Sequence, residues 1–141
     1  MQENGHDVPT PVPVAFLLCD QIIVEAGSGK KTIVGVFDRI GVHQFPATHS
    51  PAWLYIRVID CEGEYKHRIE YVQVSTQKTL AQANGTATSN NRHIYTEFVL
   101  SCPPLPLPEP GEYEFRLWLN DKFISRARVT AHMRSEMEGR Q

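Results

Sequence analysis

Between Val14 and Ala131 the apolar residues fall in short runs rich in Val, Ile, Phe, Tyr and Thr, each ended by Gly, Pro, Asn or Asp. β-Branched and aromatic side chains suit a pleated, half-buried surface, and the terminating residues supply the dihedral angles of turns, so the pattern predicts strands joined by short connections. No segment holds a long helical period of apolar residues. Val14 to Glu25 and Thr32 to Val42 flank Ala26-Gly27-Ser28-Gly29-Lys30, whose two glycines can take positive φ in a tight turn. Ala52 to Asp60 alternates, and Cys61-Glu62-Gly63-Glu64 is expected to turn it into a long strand from Tyr65 to about Ser75, a second hairpin. Thr79 to Thr88 and His93 to Ser101 flank the polar tip Ser89-Asn90-Asn91-Arg92. Five prolines between Cys102 and Gly111 leave few backbone donors and predict a stiff, solvent-facing crossover between sheets. Glu112 to Leu119 and Phe123 to Ala131 form a last hairpin around Asn120-Asp121-Lys122. About eight strands at this spacing predict an all-β fold, a two-layer antiparallel β-sandwich of immunoglobulin-like size.

A length of 141 residues is that of one domain. The expected organisation is an extended proline-containing leader over residues 1–13, the β-sandwich domain over 14–131 and a polar tail over 132–141. A net charge of −2 supplies no basic field for a polyanion, which argues against nucleic acid as a partner. No apolar stretch approaches the roughly 18 residues of a membrane span. Residues 1–13 carry Glu3 and Asp7 without Lys or Arg, unlike a secretory signal, and bulky Leu18 precedes Cys19 where a lipoprotein processing site needs a small residue. Cys19, Cys61 and Cys102 are odd in number and form no CxxC pair, which fits reduced thiols and a cytoplasmic location better than a disulfide framework.

The segments Phe16-Leu17-Leu18-Cys19-Asp20-Gln21-Ile22-Ile23-Val24, Gly29-Lys30-Lys31, Ile33-Val34-Gly35-Val36-Phe37-Asp38 and Pro110-Gly111-Glu112-Tyr113-Glu114-Phe115-Arg116-Leu117 resemble an uncharacterised family of small bacterial β-sandwich proteins, a domain of unknown function. The resemblance covers most of residues 14–131. It implies a bacterial β-sandwich and supplies no activity, ligand or site.

Few motifs carry chemistry. Gly27-Ser28-Gly29-Lys30-Lys31-Thr32 has the composition of a phosphate-binding loop, but Val24 stands where its first glycine belongs, Lys31 replaces its Ser/Thr, and strand rather than helix follows. The histidines His6, His43, His49, His67, His93 and His132 lack the tight spacing of metal ligands. Cys61 sits between Asp60 and Glu62, whose charges oppose thiolate formation. Asn84-Gly85-Thr86 matches a glycosylation acceptor, which matters only in a secreted eukaryotic protein. The expectation is therefore a protein without catalytic residues, metal or cofactor.

The aromatics carry more information. Alternation in Trp53 to Asp60 places Leu54, Ile56 and Val58 on one face and Trp53, Tyr55 and Arg57 on the other. In Glu112 to Asn120 it places Tyr113, Phe115, Leu117 and Leu119 opposite Glu114, Arg116 and Trp118. Immunoglobulin-like connectivity makes these strands neighbours, gathering Trp53, Tyr55, Arg57, Arg116 and Trp118 on one outer face, where Tyr95 can join them. Such a face suits a protein interface, so the expected function is a non-catalytic interaction module for self-association or a protein partner. The alternatives are a carbohydrate or small-ligand domain, with Trp53 and Trp118 stacking and Arg57 or Arg116 anchoring, and a face covered by the chain's own leader, crossover or tail.

Overall fold

The computed structural model describes residues 8–135, which form an all-β structure of eleven strands in separate sheets. β1 (Val12–Val24) and β2 (Lys31–Val36) make the first hairpin, whose turn has Gly29 at φ 74°. The other half of β1 pairs with β5 (Trp53–Ile59), and β5 with β8 (Thr96–Ser101), giving a four-stranded sheet in the order β2-β1-β5-β8.

The second sheet contains β3 (Arg39–Val42), β11 (Lys122–Met133), β10 (Gly111–Leu119), β6 (Gly63–Gln73) and β7 (Lys78–Ser89), in that order. The pair β10–β11 is a tight hairpin in which Asn120 and Asp121 take φ of 50° and 63°, the left-handed values that a two-residue hairpin turn needs. A third, two-stranded sheet joins β4 (Ala47–His49) to β9 (Leu105–Leu107).

Several expectations change. The pairing of β3 with β11 is parallel, so the fold is not wholly antiparallel. The link from Asp60 to Glu62 does not close a hairpin: β5 and β6 belong to different sheets, and Asp60 (φ 68°) and Gly63 (φ 108°) provide the sharp change of direction. The extra strands β3, β4 and β9 have three or four residues, too few for alternation to reveal. The proline crossover is not wholly solvent-facing. Leu105 and Leu107 are buried, while the Pro106 carbonyl between them accepts a hydrogen bond from Tyr71 Oη at 2.9 Å. β1 starts inside the expected leader and β11 ends beyond Ala131; the expectations for residues 1–7 and 136–141 lie outside the described residues.

Both large sheets contribute to one core. Leu18, Leu54, Ile56, Val58 and Phe98 come from the four-stranded sheet, and Tyr65, Ile69, Tyr71, Tyr113, Phe115, Leu117 and Val129 from the five-stranded one. Tyr71 stacks on Tyr113 with centroids 5.6 Å apart and tilts against Phe115 at 4.8 Å. Tyr113 Oη donates to the Glu109 carbonyl at 2.5 Å, so this fully buried ring keeps its polar end satisfied.

Candidate functional site

The two strands expected to share one aromatic face lie in different sheets. β5 pairs with β1 and β8, whereas β10 pairs with β6 and β11. Trp53, Tyr55, Arg57 and Tyr95 are therefore brought together, and Arg116 and Trp118 are placed on another surface.

The first group centres on Glu97. Its carboxylate accepts hydrogen bonds from Lys31 Nζ and Tyr55 Oη, and Arg57 Nε lies 3.8 Å from it. The Arg57 guanidinium lies 3.8 Å from the centroid of the Tyr95 ring. Burial raises the Glu97 pKa, but Lys31, Tyr55 and Arg57 outweigh it and hold the carboxyl below its ordinary range. Burial and the Glu97 hydrogen bond push the Tyr55 phenol up to about 12.

This face is covered by the chain itself. Ile22 and Ile33 of the β1–β2 hairpin pack with Cys19, Leu17, Tyr55, Trp53 and Val99, and Lys31 reaches Glu97 from β2. The hairpin thus lies against the sheet that β1 helps to build, leaving Tyr55 only 7 % exposed. Among the described residues the cover is this hairpin and not the proline crossover, and the glycine-rich segment that resembles a phosphate loop is the tip of this arm. The arm's other face presents Ile23, Val34 and Val36 to solvent.

On the five-stranded sheet, Glu114 is 1 % exposed yet charged. Arg116 Nε approaches one carboxylate oxygen at 2.8 Å, and Arg128 Nε (2.5 Å) and Arg126 Nη1 (3.8 Å) approach the other. Burial raises the Glu114 pKa, but hydrogen bonds from Arg128 and Arg116 reverse the effect and leave the carboxyl below its usual range. Further along β10, Trp118 Nε1 donates to Glu70 at 2.8 Å, the Arg68 guanidinium lies 4.9 Å from the Trp118 ring, and Phe123 meets it edge-on. Trp118, Lys66, Arg68, Asn84, Thr86 and Asp121 line a shallow recess there.

The remaining candidate, the edge strand β7, has no counterpart among the expected site residues. From Thr79 to Ser89 it holds no charged residue and no proline, and most of its residues are exposed. Its one sheet neighbour among the described residues is β6. The signal was present in the sequence as a long polar strand without Pro and with its one Lys, Lys78, at the very start, where it leaves the rest of an edge unprotected, but only the strand order shows that β7 is an edge. Between β7 and the segment Leu100–Pro106 lies an apolar cleft of about 180 Å³, with Leu54, Ile69, Tyr71 and Phe115 behind it.

Within Asn84-Gly85-Thr86 the glycine has a packing reason. A Cβ at position 85 would stand 2.6 Å from Cε1 of His67, whose ring also meets Phe98 edge-on at 5.0 Å. His49 packs against Phe37 in the same edge-on manner at 5.3 Å. Burial raises the pKa of the Cys61 thiol and pushes Cys102 up to about 11.

Fold and surfaces together define an all-β domain with two large sheets around one core, a self-covered aromatic face and, among the described residues, an open edge at β7. Over residues 14–132 the chain matches the family of unknown function DUF6941, and it belongs to that family. No curated protein matches the chain.

Proposed function

We propose that the protein is a non-catalytic interaction module that binds an extended protein segment by strand addition along β7. The observation carrying this reading is the edge itself: twelve residues, uncharged and proline-free from Thr79 onward, with outward backbone groups that no other described strand pairs. Such an edge is a template for another strand. The other edges of the two large sheets are the six-residue β2, β8, which runs into Pro103 and Pro104, and the four-residue β3. A non-catalytic role agrees with thiols that burial keeps protonated and with carboxylates engaged by arginine or lysine.

The finer architecture we assign is a two-layer immunoglobulin-like sandwich. It is supported by the shared core and by Tyr113 near the start of β10, whose hydroxyl bonds back to the backbone four residues upstream, as in a tyrosine corner. A bacterial, cytoplasmic setting agrees with three unpaired cysteines and with the family resemblance.

Amide exchange along β7, with and without a short capped peptide alternating threonine and phenylalanine, tests the reading. Exchange is expected to slow at alternate β7 residues, those whose N–H points away from β6, and a backbone N-methylated peptide should not slow it. Unchanged exchange at millimolar peptide rejects strand addition.

The recess at Trp118 favours a second reading, a carbohydrate-binding surface, because an aromatic ring stands beside Asn84, Arg68 and Asp121 as polar anchors. Soluble glycans should then quench tryptophan fluorescence in wild type and not in Trp118→Ala; no quenching in wild type eliminates it.

A further inference from the structure

We propose that the cleft between β7 and the Leu100–Pro106 segment is a specificity pocket that accepts one phenylalanine- or leucine-sized side chain from an extended partner segment lying on β7. This rests on the strand-addition reading and adds what the partner must carry.

Protein interiors are close-packed and contain few voids larger than a water molecule. This cleft of about 180 Å³ is partly open to solvent and lined mostly by apolar side chains. It is comparable with the roughly 150 Å³ cavity, lined by Leu, Ile and Phe, that stays dry and binds benzene. Its walls are Leu54, Ile69, Tyr71, Leu100, Leu105 and Phe115. Pro103, Pro104 and Pro106 stiffen one side by fixing φ, so collapse is opposed. On the other side stand Ala81 and Ala83, where a larger strand residue would fill the space. Alanine is depleted in strands, and this strand also uses it at position 87.

Register aims a partner's side chains at the cleft. Ala81 and Ala83 lie opposite Tyr71 and Ile69 of β6, both core residues, so they occupy the core side of the sheet. A strand added outside β7 continues the pleat, and its residues opposite Ala81 and Ala83 point the same way, at the mouth of the cleft. A charged group there would be desolvated without a partner, since no charged residue lines the cleft.

The same register argues against a second copy as occupant. The core-side positions 81, 83, 85 and 87 of β7 are all alanine or glycine, and Leu80, turned inward at the β-bulge, is already packed against its own core, so a second β7 would offer no free side chain large enough to fill the space. The occupant has to be a foreign segment with a bulky apolar residue at alternate positions.

The test is an NMR titration of the full chain with two capped peptides: the threonine–phenylalanine alternation and the same sequence with alanine for every phenylalanine. Benzene serves as a side-chain probe without a backbone, and Ala83→Leu as a cleft-filling variant. The phenylalanine peptide is expected to shift the amides of residues 100–105 and bind at least about tenfold more tightly than the alanine peptide. In Ala83→Leu, folded by its dispersed spectrum, that preference should vanish. Equal affinity of the two peptides, with β7 amides protected by both, overturns the pocket and leaves strand addition standing. Benzene shifts at the cleft without peptide protection of β7 overturn strand addition and, with it, a partner segment as the occupant. If neither probe binds wild type, both ideas fall. Because the peptide pair is compared on wild type, failure of Ala83→Leu to fold leaves the test intact.

Discussion

Glu114 lies among Arg116, Arg126 and Arg128 as a buried carboxylate whose charge is matched on the outer face of the five-stranded sheet. Alternation along β10 places it opposite Tyr113 and Phe115, on the side one would expect to meet water; its burial follows from arginine stems that lie across it, which no periodicity reports. Replacing Glu114 with Gln removes charge-assisted bonds and leaves the guanidinium groups facing one another, and is expected to cost on the order of 2 kcal/mol in urea unfolding. The pH dependence follows from the lowered pKa. The ion-pair contribution is complete above the ordinary carboxylate range and is lost as pH falls through the depressed native value, so the acid limb of wild type should be steeper than that of Glu114→Gln. His49 and His67, lowered by burial, act in the same direction at higher pH, and stability should begin to decline as pH drops below about 6.5. Gly85→Ala sets a methyl group against the His67 ring, and a loss of about 1–3 kcal/mol is expected in the same unfolding assay.

At the scale of elements, the β1–β2 hairpin is the least anticipated feature. Its strands and glycine turn were legible, because Gly27 and Gly29 interrupt two β-branched runs. That it lies over Trp53 and Tyr55 was not, because a hairpin's local pattern does not say which sheet surface it meets. The contact rests on Ile22, Ile33 and the Lys31–Glu97 ion pair. Lys31→Ala with Ile33→Ala should loosen the arm without unfolding the protein. The expected readout is faster reaction of Cys19, fully buried in wild type, with a thiol reagent, while Cys61 in the main core reacts no faster. Equal protection of Cys19 in both proteins would mean that the arm is held by other contacts.

At the scale of the whole molecule, strand order decides which surfaces exist. β7 is an edge only because β6 lies between it and β10, and the cleft beside it exists only because β8 and the proline segment arrive from the other sheet. Gln82→Lys with Thr86→Lys adds charge to that edge without touching the core. Stability is expected to stay within about 0.5 kcal/mol of wild type, while aggregation on heating, followed by light scattering, should diminish. The sequence by itself determined the all-β class, the hairpins with glycine or Asn-Asp turns and the alternation that places Leu54, Ile56, Tyr113 and Phe115 in the core. These depend on neighbours a few residues apart, and backbone geometry imposes them locally. The assignment of β5 and β10 to different sheets, the arm across Tyr55 and the open edge at β7 were decided only in the tertiary structure. They depend on pairings between residues distant along the chain, such as Arg57 with Glu97 and Arg116 with Glu70, where many partners satisfy the same local pattern and only burial of one shared core selects among them.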